Sequence, residues 1–347
     1  MSEAIVKVEN LYHRYTTQWA VQDLSFEIRN RGVLGLLGAN GAGKSTTMNI
    51  MCGVLNQTSG NIYINGINLR EHPIEAKKYI GFLPQKPPLN PDMTVDEYLH
   101  FCAHLRRMDG KEVHQAVEAA KERCGIAHFR KRLLKNLSGG YQQRVGIAQA
   151  IIHNPKVVVF DEPTNGLDPI QIVEIRNLIK EIAVDRAVII STHILPEVQL
   201  SCENIIMITQ GKCVFSGTIE EFDNYIEPNS LVITLDAAPD VNVLASLPSI
   251  KRVDKLTEKR YRLFFSDATD IADRVVCASV EGGWKLTEIN LERGSLDEVF
   301  AQLSGKSRIG KKSWYEINLE NNQSGITNAF LLTVGLVNAG STGNLGV

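Results

Sequence analysis

The sequence reads Gly38-Ala39-Asn40-Gly41-Ala42-Gly43-Lys44-Ser45 at the point that decides the fold. This stretch matches the phosphate-loop pattern G-x-x-x-x-G-K-[ST] in full. An apolar run at 33–37 precedes it and a helix-forming run at 46–51 follows it, which is the strand–loop–helix context that the pattern requires. The alternative is a glycine-rich turn with a chance lysine, and the context argues against it. The sequence therefore predicts a phosphate-binding loop at the start of a helix.

Within this loop, glycines allow backbone N–H groups to converge on phosphate oxygens. We expect Lys44 to reach the β- and γ-phosphates of a nucleotide and the Ser45 hydroxyl to bind Mg²⁺. The residues of this region that we predict to bind the nucleotide are Gly38, Asn40, Gly41, Gly43, Lys44, Ser45 and Thr46.

Two carboxylates follow a second apolar run, Val-Val-Val-Phe at 157–160. Such a run is typical of a buried parallel strand, whose carboxyl end is the edge where α/β sheets bind ligands. Asp161 suits Mg²⁺, which prefers oxygen ligands and keeps its water shell. Glu162 is the candidate general base that polarises the attacking water. A helix cap or a surface acid is the alternative for Glu162, and the following Pro163-Thr164 favours the base.

Two further polar residues end predicted strands. His193 follows the apolar run 187–192, and Gln85 follows the run 79–84. A lone histidine after a strand is more often structural than catalytic, but this strand belongs to the same predicted sheet as Asp161. We expect His193 to contact the γ-phosphate and orient water, and Gln85 to touch Mg²⁺ or water with its neutral amide. Taken alone, the signal at Gln85 is weak.

Over approximately residues 4–225 the chain resembles the ATP-binding subunit of an ABC transporter. The resemblance rests on the phosphate loop, on the carboxylates after 157–160 and on Leu137-Ser138-Gly139-Gly140-Tyr141-Gln142, which is similar to the family's signature. It implies that Tyr15 stacks on adenine, with Tyr12 or Trp19 as alternatives. It also assigns Gln85 to the glutamine loop, Gly166-Leu167-Asp168 to the D-loop and His193 to the switch histidine. One departure is Tyr141, where many members carry glutamine, and we expect little effect on ATP contact.

The signature also implies a dimer. In the family, Ser138, Gly139 and Gly140 would meet the γ-phosphate held by the opposite subunit. This chain carries one phosphate loop and one signature, so a complete pair of sites needs a second chain. A twofold homodimer is the simplest closed arrangement, and a heterodimer stays open. ATP would close the dimer and hydrolysis would release it.

The composition fits a soluble protein, with 44% hydrophobic and 22% charged residues among 347. A formal net charge of −2 argues against a nucleic-acid partner. The six cysteines show no metal-ligand spacing and read as buried or free thiols in a reducing cytosol. The sequence shows no signal pattern and no apolar run that approaches the length of a membrane span. We therefore expect a peripheral protein on the cytoplasmic face of the membrane, with the pore in a separate permease subunit.

The predicted fold class is α/β: a P-loop NTPase core of the ABC ATPase type at 1–228, with a helical subdomain at about 87–150. By the same resemblance, an exposed groove near Gln85 and Tyr98 would receive a membrane partner, and a solvated helical insert is the alternative. A small α+β domain at 229–304 is predicted from strands at 231–235, 250–256, 261–265 and 284–291 and helices at 241–247 and 268–280. Their βαββαβ order is that of a ferredoxin-like arrangement, followed by a closing helix at 295–300. The resemblance suggests dimer support or regulation for this domain. A flexible tail is predicted at 305–347, with a basic cluster at 306–312 beside Trp314 and Tyr315.

The leading hypothesis is an ATP hydrolase that powers a transporter, with export favoured by the C-terminal extension and by a similarity to gliding-motility and drug-efflux subunits. The alternative is a soluble ABC ATPase acting on ribosomes or DNA. Such proteins usually carry two phosphate loops or a long coiled coil, and this sequence shows neither. A third hypothesis, a nucleotide-sensing module with little turnover, is disfavoured because Glu162 and His193 are both present.

Overall fold

A computed structural model describes residues 4–225, 228–266 and 270–293 of the chain. The strands are β1 (Val6–Tyr15), β2 (Gln18–Ile28), β3 (Gly32–Leu37), β4 (Ser59–Ile64), β5 (Ile67–Asn68), β6 (Ile80–Leu83), β7 (Val157–Asp161), β8 (Ala187–Thr192), β9 (Asn204–Thr209), β10 (Lys212–Thr218), β11 (Pro228–Leu235), β12 (Ile250–Lys255), β13 (Arg260–Phe265) and β14 (Leu286–Arg293). The helices are α1 (Lys44–Met51), α2 (Pro73–Ala76), α3 (Val95–Leu105), α4 (Gly110–Arg123), α5 (Gly139–Ile151), α6 (Pro169–Ala183), α7 (Leu195–Ser201), α8 (Ile219–Tyr225), α9 (Val241–Ala245) and α10 (Ile271–Gly282).

The central sheet has the strand order β10-β9-β3-β8-β7-β6. Neighbouring strands from β9 to β6 pair in parallel, and β10 pairs with β9 antiparallel. The strands β3, β7 and β8 are apolar and almost wholly buried, as expected for strands covered on both faces. Because the strands are parallel, the segments that follow β3, β6, β7 and β8 all leave the sheet at one edge.

A second, antiparallel sheet has the order β2-β1-β4-β5. Its first two strands have 10 and 11 residues. They meet in a tight turn in which Thr16 has a φ of 50°. This turn places Tyr15 and Trp19 close to the phosphate loop.

The helical subdomain contains α3, α4 and the start of α5. Thr94 begins α3 with a reciprocal capping box to Glu97, which fixes where the helix starts. The groove expected near Gln85 and Tyr98 stays a prediction, but Tyr98 itself is only 3% exposed and its hydroxyl donates to the Pro88 carbonyl at 3.1 Å. Tyr98 lies on the face of α3 that packs into the core, whereas Phe101 and Leu105 are the exposed apolar residues of that helix.

The C-terminal strands form an antiparallel sheet in the order β12-β13-β11-β14, with α9 and α10 in the crossovers. It has an apolar core of its own, made of Leu231, Ile233, Leu235, Leu244, Tyr261, Leu263, Phe265, Ile271, Val275 and Trp284. The helix expected from residue 268 to 280 runs instead over Ile271–Gly282, ending at Gly283 with a φ of 67°. The following strand starts at Leu286, two residues later than expected.

Several expectations fall outside the part of the chain that the structure describes. They are the helix at 295–300, the flexible tail at 305–347 and the basic cluster at 306–312 with Trp314 and Tyr315. All six cysteines lie in the described part of the chain, where they are free thiols, four buried and two exposed. Within the described ranges, every helix is too short or too polar to cross a bilayer.

Candidate functional site

A cleft of about 660 Å³ opens at the edge of the central sheet where β3, β6, β7 and β8 end. Its walls bring together most of the residues singled out in the sequence. The lining residues are Tyr15, Gln18, Trp19, Ala20, Asn40, Gly41, Gly43, Lys44, Ser45, Thr46, Gln85, Glu162, Asn165 and His193. Residues that are distant in the sequence thus meet in one concave, polar site of the kind that binds a ligand.

The phosphate loop depends on its glycines at two positions. Gly41 and Gly43 have φ values of 79° and 107°, in the left-handed region that side chains rarely adopt. A Cβ atom on Gly43 would also lie 2.3 Å from the Ala20 carbonyl oxygen. Gly38 does not line the cleft, but a Cβ there would lie 2.5 Å from the Ile208 carbonyl oxygen. The loop therefore packs tightly against β2 and β9 and presents its backbone to the cleft.

Lys44 is the buried cation of the site, with 4% of its surface exposed. Its Nζ donates to the carbonyl oxygens of Gly38 at 2.8 Å and Ala39 at 3.1 Å, and lies 3.9 Å from Glu162 Oε1. Burial lowers the pKa of Lys44, and the nearby carboxylates of Glu162 and Asp161 oppose that shift. A cation held in this way can exchange its carbonyl partners for phosphate oxygens without a large movement.

Oxygen atoms that could hold Mg²⁺ come together beside this lysine. The Ser45 hydroxyl donates to Asp161 Oδ1 at 3.1 Å, and the Ser191 hydroxyl donates to the same oxygen at 2.5 Å. Asp161 is 4% exposed, so these hydroxyls compensate for the burial of its charge. A hydroxyl and a carboxylate oxygen are hard ligands of the kind that Mg²⁺ uses together with water and phosphate. The residues present therefore fit this ion.

Glu162 is held in place from several directions. Its φ of 47° is unusual for a residue with a side chain, and its N–H donates to the Ser191 hydroxyl at 2.9 Å. Oε2 accepts hydrogen bonds from Gln85 Nε2 at 3.0 Å and from Asn165 Nδ2 at 3.2 Å. On the other oxygen, His193 Nδ1 lies 3.2 Å from Oε1. A carboxylate fixed in this geometry is well placed to act on a water molecule in the cleft.

Two aromatic rings border the open end of the cleft. Tyr15 and Trp19 line it with 49% and 42% of their surfaces exposed. Tyr12, the other alternative, is not among the lining residues and packs edge-on against Trp19, with the ring centroids 5.9 Å apart. The structure therefore leaves two candidates for a stacking ring and moves Tyr12 to a supporting position.

The signature residues lie elsewhere on the chain. Ser138, Gly140 and Asp168 line a separate cavity of about 250 Å³ and are not among the residues of the large cleft. Ser138 directly precedes α5, which begins at Gly139, and its side chain makes no capping bond. Asp168 caps α6 by accepting hydrogen bonds from the N–H groups of Ile170 and Gln171. The free Ser138 hydroxyl is thus available at a helix start.

Tyr141, the departure from the family pattern, has a local structural role. Its ring packs edge-on against Phe129, with centroids 4.6 Å apart, and against His128 at 6.0 Å. Gly140 is buried against α6, because a Cβ there would lie 2.6 Å from Gln171 Oε1. The aromatic contacts of Tyr141 stabilise the first turn of α5 and leave Ser138 and Gly140 unchanged as the signature residues.

Sequence reasoning missed several residues of the site. Asn165 and Ser191 donate hydrogen bonds to the carboxylates of Glu162 and Asp161, while Gln18 and Ala20 form part of the cleft wall. Asn165 and Ser191 stand within three residues of Glu162 and His193, so proximity to a candidate was the available signal. Gln18 and Ala20 carried none, because their position depends on how β2 packs on the loop.

Known proteins resemble this chain over most of its length. The family described as ABC transporter matches residues 21–165. The bacitracin transport ATP-binding protein BcrA of Bacillus licheniformis is 30% identical over 325 residues, covering 88% of this chain and 99% of that protein. The linearmycin resistance ATP-binding protein LnrL of Bacillus subtilis (strain 168) is 26% identical over 308 residues, covering 87% and 99%.

Solved structures share the fold of somewhat less than two thirds of the chain. CbiO1 from Clostridium perfringens, part of the ABC transporter complex cbiONQ, aligns with a TM-score of 0.59 and 31% identity over 64% of this chain and 92% of that one. The ATP-binding cassette MJ0796, a dimer in a post-hydrolysis state bound to ADP and Pi, aligns with a TM-score of 0.56 and 26% identity over 62% and 98%.

Proposed function

Because this chain belongs to the ATP-binding proteins of ABC transporters, we propose that it powers transport through a separate membrane permease, by ATP-driven dimerisation and hydrolysis-driven release. The family hydrolyses ATP, and the related cassette MJ0796 was captured with the products ADP and Pi. One observation carries the proposal: Glu162 lies within hydrogen-bond distance of Gln85, Asn165 and His193, in the same cleft as Lys44.

The cleft residues would bind ATP from one end to the other. Tyr15 or Trp19 would stack on the adenine, since both rings are exposed at the cleft's margin. The N–H groups of the loop and of the first turn of α1 would hold the phosphates, with Lys44 exchanging its carbonyl partners for the β- and γ-phosphate oxygens. The residues in these binding roles are Gly38, Asn40, Gly41, Gly43, Lys44, Ser45 and Thr46.

Hydrolysis requires a water molecule directed at the γ-phosphorus. Glu162 would accept the proton of this water, with Gln85 and Asn165 orienting the carboxylate and His193 contacting the γ-phosphate. Mg²⁺, when bound, neutralises phosphate charge. Ser45 and Asp161 would hold it, and Gln85 would contact it from the opposite wall.

The separation of the two cavities supports a dimer. Ser138 and Gly140 line the second cavity together with Asp168, and neither they nor the intervening Gly139 line the nucleotide cleft of their own chain. In a twofold pair, each signature would complete the cleft of the other chain. The dimeric state of the related MJ0796 supports this arrangement.

Export through a membrane permease is the finer part of the proposal. The relatives named for bacitracin transport and linearmycin resistance match along 99% of their own lengths, which includes their C-terminal regions. CbiO1, by its description, is part of a transporter complex. We take the chain to sit on the cytoplasmic face of the membrane, bound to its permease, and residues 229–304 to form a second domain that supports or regulates the dimer.

The test is to purify a tagged Glu162→Gln variant with ATP from native membranes in mild detergent and to identify what accompanies it. We expect a multi-pass membrane protein at near one-to-one stoichiometry, because trapped ATP should hold the closed state. Lys44→Ala, which should not bind ATP tightly, is the matched control and should recover less of the complex in the closed form. Ribosomes, nucleic acid or the chain alone would contradict the transport role and favour a soluble ABC ATPase.

A further inference from the structure

Glu197 is a buried carboxylate that does not line the nucleotide cleft, with 9% of its surface exposed. It extends from the first turn of α7 and accepts two hydroxyl hydrogen bonds. Thr192 Oγ1 donates to its Oε2 at 2.6 Å, and Thr164 Oγ1 donates to its Oε1 at 2.7 Å. A buried carboxylate needs such donors. Here the two donors belong to the two segments that carry His193 and Glu162.

The first bond closes the loop around His193. Thr192 lies directly before the histidine, and its Oγ1 also accepts a hydrogen bond from Ile194 N at 3.0 Å. The backbone N–H of Glu197 donates to the Ile194 carbonyl at 3.2 Å. The chain is therefore tied on both sides of His193, whose Nδ1 lies 3.2 Å from Glu162 Oε1. Because the backbone is already fixed, less conformational freedom is lost when the His193 ring contacts a substrate.

The second bond holds the turn that follows Glu162. Asn165 N donates to the Glu162 carbonyl at 3.1 Å, and Leu167 N donates to the Thr164 carbonyl at 3.3 Å. The Asn165 side chain returns to Glu162 Oε2, so a shift of this turn would move one of the donors that orient the carboxylate. The turn ends at Asp168, which borders the signature cavity.

We propose that Glu197 is a positioning residue for ATP hydrolysis. Its carboxylate clamps the turn at 162–168 to the loop of His193, so that a displacement of one is passed to the other. Because the turn reaches Asp168, the clamp also links the surface that would face a second subunit to the groups that act on water in the same chain. This inference rests on the proposed roles of Glu162 and His193.

The first experiment compares Glu197→Ala with Ser201→Ala, a matched control on the same helix with the same exposed fraction of 9%. Steady-state ATP hydrolysis is measured in the full chain with its permease, together with the thermal midpoint of each variant. For Glu197→Ala we expect kcat to fall about 10- to 100-fold, because small displacements of catalytic groups have effects of that size. We expect KM for ATP to change less than about twofold, since the groups that bind the nucleotide remain in place. Ser201→Ala should keep its kcat.

The second experiment keeps the carboxylate and removes its donors one at a time. Thr164→Val and Thr192→Val preserve shape, and each should lower kcat by about tenfold, the effect of one hydrogen bond to a charged group. Combined with Glu197→Ala, Thr164→Val should not lower kcat further, because its hydroxyl bond has already been lost. Thr192→Val also removes the acceptor of the Ile194 N–H, so only the Thr164 pair gives a clean test of coupling. Glu197→Gln, which keeps the shape and one acceptor oxygen, should retain more activity than Glu197→Ala.

Two outcomes would overturn the clamp. One is a folded Glu197→Ala protein with an unchanged kcat, which would make the contact purely structural. The other is full additivity between Thr164→Val and Glu197→Ala. Glu162→Gln is assayed in parallel: if it keeps its turnover, the proposed role of Glu162 fails, whereas if it alone is inactive and the Glu197 variants are not, only the clamp fails.

Discussion

The central parallel sheet and the C-terminal antiparallel sheet use charged side chains in opposite ways. In the first, Lys44 and Asp161 are each 4% exposed and engage partners at one edge of the sheet. In the second, the pairs Arg252–Asp254 and Arg262–Glu292 lie partly exposed on the strands themselves. Parallel strands end together, so their following segments converge, whereas antiparallel strands end alternately at the two edges. Strand direction, more than the number of charged residues, therefore decides whether functional side chains can converge at one edge of a sheet.

The strongest way to test this contrast is to exchange one carboxylate for an amide in each sheet. Glu162→Gln should lower kcat by about 10²- to 10⁴-fold, the range for losing a general base, and should keep ATP binding. Phosphate release under saturating ATP, with binding followed by a fluorescent nucleotide, gives both quantities.

Glu288→Gln is the control for that exchange. Glu288 accepts a hydrogen bond from Thr234 Oγ1 at 3.0 Å in the antiparallel sheet. Its substitution should leave turnover unchanged. Loss of activity in both variants would mean that the two sheets are not functionally distinct.

The next largest effect is expected at the signature. In Gly140→Ala, the new methyl group would meet the Gln171 side chain at 2.6 Å and displace α5 or α6 beside Ser138. We expect turnover to fall about 10²-fold, as when one preorganised donor is lost, with unchanged nucleotide affinity of the single chain. ATP-dependent dimerisation in the Glu162→Gln background, followed by light scattering, should weaken in parallel.

Gly283→Ala provides a comparison for that glycine substitution. Gly283 has a φ of 67° and open space at its Cβ position in the C-terminal domain. Gly283→Ala should lower the free energy of unfolding and leave ATP turnover unchanged. Normal dimerisation of Gly140→Ala would contradict the role given to the signature.

A smaller effect is expected at Asn165. Asn165→Ala removes one of the two amide donors to Glu162 Oε2 and leaves Gln85 in place. The loss of a hydrogen bond to a charged group costs about 1.5–3 kcal/mol, and because the Gln85 donor remains we expect the lower end, a fall in kcat of about tenfold. An unchanged kcat together with an intact thermal midpoint would remove Asn165 from the site.

The pH dependence of stability tests the helical side of the core. Burial lowers the pKa of His153 to about 4, while Nε2 lies 3.0 Å from the Ile80 carbonyl oxygen. Between that value and the ordinary pKa near 6.5, the unfolded chain binds a proton that the folded chain does not. Stability should therefore fall as the pH decreases through this window, by at most about 1.4 kcal/mol per pH unit for one proton. In denaturant titrations, His153→Gln should show a shallower decrease, and an identical slope would contradict this assignment.

The smallest effect is expected on the antiparallel sheet. Arg262→Ala removes an ion pair with Glu292 whose side chains are 36% and 33% exposed. Exposed ion pairs of this kind contribute about 0.2–1 kcal/mol. The free energy of unfolding should therefore fall by no more than that, and ATP turnover should not change. A large loss of ATPase activity would show that this sheet takes part in the reaction and would break the contrast.

The sequence by itself determined the chemistry and its order along the chain. The phosphate loop, the carboxylates after 157–160 and the residues that end β6 and β8 could be identified because each motif is local, with an apolar strand leading directly to a polar group. The same local patterns predicted the C-terminal strands and helices to within a few residues. They did not show that Tyr98 is buried, because a tyrosine in an amphipathic helix can face either way and only the packing of α3 into the core decides it.

Only the tertiary structure decided which groups touch. The bonds from Asn165 and Gln85 to Glu162, from Ser191 to Asp161, and from two loops to Glu197 join segments up to 77 residues apart. The same holds for the choice of Tyr15 and Trp19 over Tyr12, and for the separate cavity of the signature. Hydrogen bonds and ring contacts depend on atomic distances set by packing, and the spacing of residues along a chain does not contain those distances.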